Sequence, residues 1–304
     1  MNWLLIAIIA HFLFAIVFVI DKYLFSHTQL RPAAYAFYVG ILGGLTILLF
    51  PLGFSLLPTE QLIISLIAGI LFVFAIFFFY KSVQMGEVSR ITPVIGGLVP
   101  IFTLALSYIL LERYLNFNQL IAFGFLILGG VIMSWPIKKT RLALGDVKTP
   151  LIKRLPLAIL AALFFAGSYV LTKLIYIEQP FINGFIWIRL GGVLGAIILF
   201  AWPSTRKKIF ETSDKIKFKT GRLAVFNKSL SALSFVLLNY AIFLGSVALV
   251  NALQGIQYIF LLLFALFLSK KFPEIIKEQI SQSAILQKVF AILFVILGLG
   301  ILAF

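Results

Sequence analysis

Polar positions in this chain come in short clusters, and between them run long stretches with no polar face. Apolar residues recur neither at the period of a half-buried strand nor on one side of an amphipathic helix; the stretches are apolar all round, the pattern of helices surrounded by lipid or protein. Ten such stretches can be marked, near 3–20, 33–52, 61–80, 91–111, 118–136, 156–176, 182–202, 223–243, 248–268 and 286–304. Each is roughly 18–22 residues long, enough to cross a hydrocarbon core of about 30 Å at 1.5 Å per residue. The pattern predicts an all-α polytopic membrane protein with ten transmembrane helices. The amino-terminal stretch lacks a basic leader and a small-residue cleavage site, so it reads as a retained helix.

Two connections are long and basic: 137–155, containing KKTRLALGDVKTPLIKR, and 203–222. The first divides the chain into 1–136 and 156–304, five stretches each. The halves share ordered matches: Phe14-Ala15 with Phe165-Ala166, Pro32 with Pro180, Gly43-Gly44 with Gly191-Gly192, Gly97 with Gly255, and Ile127-Leu128-Gly129 with Ile296-Leu297-Gly298. Because each copy has an odd number of spans, the second enters the membrane from the opposite side. The expected architecture is therefore two inverted five-helix repeats, an arrangement that holds substrate near the midplane between them.

The stretch 80–133 stands out. Its first span carries Pro93, Gly96, Gly97 and Pro100, which read as a kink or hinge, although packing alone also accounts for glycines there. The turn that follows reads LLER at 110–113, and the fifth span is rich in glycine. Together with the five-plus-five spans and Arg189 in the seventh, these features resemble the EamA family of the drug/metabolite transporter superfamily. The chain departs from that pattern at Ile41, opposite Arg189, and at Ser269-Lys270. The resemblance implies a transporter of small metabolites, with amino acids or similar solutes as the family-weighted substrates and export or exchange as the expected direction.

Composition agrees with the membrane reading and removes other classes. Hydrophobic residues make up 62% of the chain, against about 45–50% in soluble domains, and the mean hydropathy is +1.13. The net charge of +15 does not signal a nucleic-acid partner, because the basic residues sit between spans. About 22 of the 25 Lys and Arg residues lie in or next to the odd-numbered connections; the even-numbered ones hold only Arg113 and Lys173, and Arg189 lies inside a span. By the positive-inside rule the odd-numbered connections face the cytoplasm of a cell membrane and both termini face outward. Cysteine is absent and His11 and His27 are the only histidines. No metal site, cofactor or nucleophile–base pair is expected, and hence no enzyme.

Candidate substrate contacts are the polar and aromatic groups at hydrocarbon depth: His11, Tyr80, Gln84, Tyr169, Arg189, Asn239, Tyr240, Asn251, Gln254 and Tyr258. A histidine or arginine there is costly and by default functional; the competing readings are interhelical hydrogen bonding for His11 and the amides, and a structural role for Arg189. Asn251, Gln254 and Tyr258 share one helical face. Every carboxylate falls at a span end or in a connection, which disfavours proton-driven export of lipophilic cations and suits neutral, zwitterionic or anionic solutes. The partners expected are a small-molecule substrate and the lipid bilayer; self-association is left open. The alternative function is lipid binding, or translocation of a lipid-linked sugar.

Overall fold

The computed structural model describes residues 2–27, 31–84, 88–134, 151–210, 218–269 and 282–303. Residues 137–150 of the first basic connection and 211–217 of the second lie outside the described residues, as do Lys270 and the side chains of Lys22, His27 and Pro93. The described elements are all helical: α1 (Asn2–His27), α2 (Pro32–Leu42), α3 (Thr59–Gln84), α4 (Val88–Leu110), α5 (Phe117–Ser134), α6 (Leu151–Glu178), α7 (Phe181–Ala201), α8 (Pro203–Phe210), α9 (Phe218–Leu244), α10 (Val247–Ala252), α11 (Gln254–Ser269) and α12 (Gln282–Ala303), with a 3₁₀ segment over Gly43–Leu52 that continues α2. Among the described residues eight stretches are long and apolar enough to cross a membrane, and Val94–Leu110 and Phe117–Met133 are shorter apolar helices. The protein is a multi-pass membrane protein.

Helix is the form such sequence must take, because lipid offers no partner to an unsatisfied backbone amide or carbonyl. The ends are set locally. Pro32 opens α2, where its missing N–H is no loss. Asn116 and Gln119 cap α5 reciprocally, the Gln119 amide donating to Asn116 Oδ1 at 2.8 Å and the Asn116 amide to Gln119 Oε1 at 3.1 Å. Glu112, inside the LLER turn, takes a left-handed conformation with φ of 50°.

Three local features differ from the sequence pattern. The second span changes from α-helix to 3₁₀ at Gly43, the ninth is interrupted at Leu253 between α10 and α11, and part of the second basic connection forms α8. By contrast α4 runs as one helix through Pro93 and Pro100. The interruption at Leu253 falls beside Gly255, a poor helix former, which lies against the backbone of α5: a Cβ there would stand 3.0 Å from the Leu126 carbonyl oxygen and 3.4 Å from Gly130 Cα.

Packing joins the two halves of the chain throughout. α3 lies along both α6 and α7, α1 along α9, α4 along α6, α2 along α7, and α5 along α12. The α3–α7 seam is built from Gly69, Gly191, Gly192 and Gly195, so that the backbones touch; a Cβ on Gly191 would sit 2.5 Å from the Leu66 carbonyl oxygen. The α5–α12 seam is reciprocal. Gly129 faces Ala291 and Val295, and Gly298 faces Ala122 and Leu126, so each glycine meets the residues seven and three places before the other.

The connection after the 3₁₀ segment is fastened to α7. Buried Asn183 accepts from the Ser55 amide at 3.0 Å and donates from Nδ2 to Ser55 Oγ at 2.8 Å. Trp187 Nε1 donates to the Ser55 carbonyl at 2.9 Å. This holds the 3₁₀ segment at a fixed height against α7, one turn of which carries Arg189.

Candidate functional site

A cavity of about 930 Å³ lies between the two halves. Of the residues singled out from sequence, His11, Tyr80, Tyr169, Arg189, Asn251, Gln254 and Tyr258 line it, and so does Gly96. They arrive from α1, α3, α6, α7, α10, α11 and α4, so no one segment of sequence contains the site.

Two of these groups attend to irregular backbone. The interruption at Leu253 leaves carbonyls of α10 without the amides that a continuous helix would supply. His11, 4% exposed, donates from Nε2 to one of them, the Val250 carbonyl, at 3.2 Å. A carbonyl only accepts, so Nε2 carries a proton; Nδ1 is buried without a hydrogen-bond partner among the described residues. At the other irregularity, hydrogen bonding in α2 switches from the α to the 3₁₀ pattern at Gly43. There Arg189 Nη2 donates to the Val39 carbonyl at 3.2 Å. The guanidinium is held between two rings, 4.9 Å from the centroid of Phe235 and 5.6 Å from that of Phe72. Gly43 makes the room: a Cβ there would be 2.7 Å from Nη2.

The polar face of the ninth span is present on both sides of its interruption. Asn251 Nδ2 points at Thr103 Oγ1 at 3.4 Å, Gln254 and Gln257 line the cavity, and the Tyr258 hydroxyl is buried without a hydrogen-bond partner among the described residues. Gly96 provides the space for that hydroxyl, which would lie 2.5 Å from a Cβ at that position. Gly97 and Pro100 border a narrow crevice with Gly130 and Gly255, where they serve close packing of α4, α5 and α11.

Three candidates lie elsewhere. Asn239 is buried but committed to structure: Tyr176 donates to its Oδ1 at 3.1 Å, and its Nδ2 donates to the Phe235 carbonyl at 2.9 Å. Tyr240 packs with Phe181 and Phe243. Gln84 is exposed at the end of α3. Lys173 is also structural, donating at 2.9 Å to the carbonyls of Ile242 and Phe243 in the last turn of α9, where a cation also meets the negative end of the helix dipole.

The cavity holds groups that the sequence pattern did not single out. Phe72, Phe165 and Phe235 form much of its wall. At one end Tyr35 of α2 packs at a tilt against Tyr80, with centroids 4.3 Å apart, and accepts from Lys228 Nζ of α9 at 2.8 Å. Lys228 also stands 3.7 Å from Asp21 of α1, and Asn227 donates to the same carboxylate at 2.8 Å. This cluster bridges α2 and α9, which otherwise face each other across the cavity. Among the described residues no group of histidines and carboxylates is placed to hold a metal ion.

Residues 1–135 match the model of the EamA-like transporter family. A comparison with curated protein sequences finds no match. A protein of known crystal structure shares the fold at a TM-score of 0.65 and 16% identity, over 97% of this chain and 95% of that one.

Proposed function

We propose, for a chain whose residues 1–135 belong to the EamA-like transporter family, that it moves a small metabolite across a cell membrane by alternating access. The observation that carries this reading is the cavity of about 930 Å³ between the halves, lined by His11 and Tyr258, whose buried Nδ1 and hydroxyl have no hydrogen-bond partner among the described residues. A buried polar group without a partner costs free energy, and a substrate that bonds to it removes the cost.

In this reading ten spans form two inverted five-helix repeats, 1–136 and 156–304, with α10 and α11 together making the ninth span. Support comes from the packing. Exchanging the repeats turns the contact of α1 with α9 into that of α3 with α6, and both are extensive. The reciprocal glycines of α5 and α12 obey the same exchange. Discontinuous helices at the middle of the membrane are where inverted-repeat transporters hold their substrates, and both irregularities here border the cavity. The basic connections are assigned to the cytoplasm and the termini to the outside.

The test is counterflow in proteoliposomes preloaded with unlabelled amino and organic acids, with the same mixture supplied outside in labelled form. Uptake is expected above that of protein-free liposomes, reduced at least tenfold by Gln254→Ala and retained in Tyr240→Ala, which lies off the cavity. Uptake equal to protein-free liposomes sinks the transport reading.

A further inference from the structure

The geometry points to an organic monoanion with an apolar body as the substrate of this cavity, its carboxylate seated on Arg189. The inference rests on the transport reading and names the substrate class of the same site.

The first argument is charge. Arg189 is permanently ionised, and among the described residues it donates a single hydrogen bond, to a neutral carbonyl. No carboxylate pairs with it. The other cation of the cavity wall, Lys228, has Asp21 beside it, and His11 is engaged with the Val250 carbonyl. Among the described residues Arg189 is therefore a positive charge without a compensating carboxylate, placed near the middle of the membrane-spanning segment Phe181–Ala201. A charge at that depth is expensive unless it is paired. A monoanion compensates it; a neutral solute leaves it as it is. A zwitterion brings a cation of its own, and no carboxylate is among the described residues that line the cavity; Asp21, behind Lys228, is already engaged by Lys228 and Asn227.

The second argument is the wall. Phe72 and Phe235 flank the guanidinium and Phe165 and Tyr169 continue the surface, so a carboxylate at Arg189 has apolar area on either side. Leu45 and Leu48 of the 3₁₀ segment line the cavity and are also among the exposed residues of the molecule. The space between α2 and α9 thus opens on the outer apolar surface. A strongly hydrated solute gains nothing from such a wall, whereas an apolar body gains about 25 cal/mol per Å² removed from water.

The experiment uses the full chain in lipid nanodiscs at pH 7.5, titrated calorimetrically with three probes that share a phenyl ring on a two-carbon chain: 3-phenylpropionate, phenylalanine and phenethylamine. We expect 3-phenylpropionate to bind at least tenfold more tightly than either of the others. Arg189→Gln should weaken it tenfold or more, with part of the affinity kept by Arg189→Lys. Gly43→Ala, whose methyl displaces the guanidinium without removing it, should weaken the same probe and provides the answer if Arg189→Gln fails to fold. Phenylalanine binding as tightly as 3-phenylpropionate, absence of binding by all three, or wild-type affinity in both Arg189→Gln and Gly43→Ala would overturn the assignment. Counterflow separates the two levels: a protein that carries metabolites but prefers the zwitterion loses the anion assignment only, and one without counterflow loses the transport reading too.

Discussion

Replacing Gly191 by alanine tests whether the α3–α7 seam is closed by backbone contact. The added methyl would stand 2.5 Å from the Leu66 carbonyl oxygen, 2.7 Å from its Cα and 2.9 Å from its carbonyl carbon. Optimal carbon contacts are about 3.5–4.0 Å, so α3 and α7 must separate by roughly 0.8 Å. The obstructing atoms are main chain and cannot rotate away. A gap of that size forfeits a quarter to a half of the dispersion energy of each contact across the seam, and overpacking of this kind costs about 3 kcal/mol at the upper end of its usual range. Alanine's better helix propensity offsets about 1 kcal/mol, leaving a net loss of about 2 kcal/mol. Gly124→Ala is the control, since a Cβ there meets nothing within 4 Å; it should be neutral or stabilising by up to about 1 kcal/mol. Reversible unfolding in mixed micelles should therefore separate the two variants by about 3 kcal/mol, roughly two decades in the unfolding constant. Equal stabilities would refute backbone contact as the source of the seam.

Two further outcomes are expected. Lys228→Met strands the Asp21 carboxylate, whereas the double variant Asp21→Asn with Lys228→Met does not, so thermal unfolding should find the single variant less stable than the double by about 1 kcal/mol, a partly exposed pair being worth less than a buried one. Alkaline phosphatase fused after Phe304 should be active, as it is only outside the cytoplasm; an inactive fusion together with a fluorescent cytoplasmic reporter at the same point would reverse the assigned orientation.

The helices were legible because each is a long apolar run between polar clusters; most bounds agree with the observed elements to within about five residues, and the widest difference is at the end of α1, which runs to His27 where the apolar run stops near residue 20. Which side of a helix faces the cavity was less so. Asn239 and Tyr240 are as polar as Asn251 and Tyr258, and only the packing of α9 against α6 and α7 tells the difference. The irregularities also escaped the pattern. Pro93 and Pro100 draw attention to α4, yet the described interruption falls at Leu253, where the signal is one glycine among amides and the cause is the approach of α5. The cluster of Asp21, Tyr35, Tyr80 and Lys228 draws on four helices. Apart from Tyr80, which the sequence pattern singles out, its members look like ordinary span-end residues until the chain is folded.

The seams themselves set an energy balance between conformations. If exchanging the repeats describes the alternate state, the α3–α7 contact is replaced there by closure of α2 on α9. α9 has no glycine from Arg222 to Leu244, and its face toward the cavity carries Lys228 and Phe235. Side chains of that size hold two helices apart, so the alternate closure has fewer close atom pairs than the glycine seam it replaces. The empty transporter would rest on one side, and the second closure needs material from outside the chain to complete it. An apolar body lying between α2 and α9 fills the space those side chains keep open. Cargo would then supply the packing that its own passage requires.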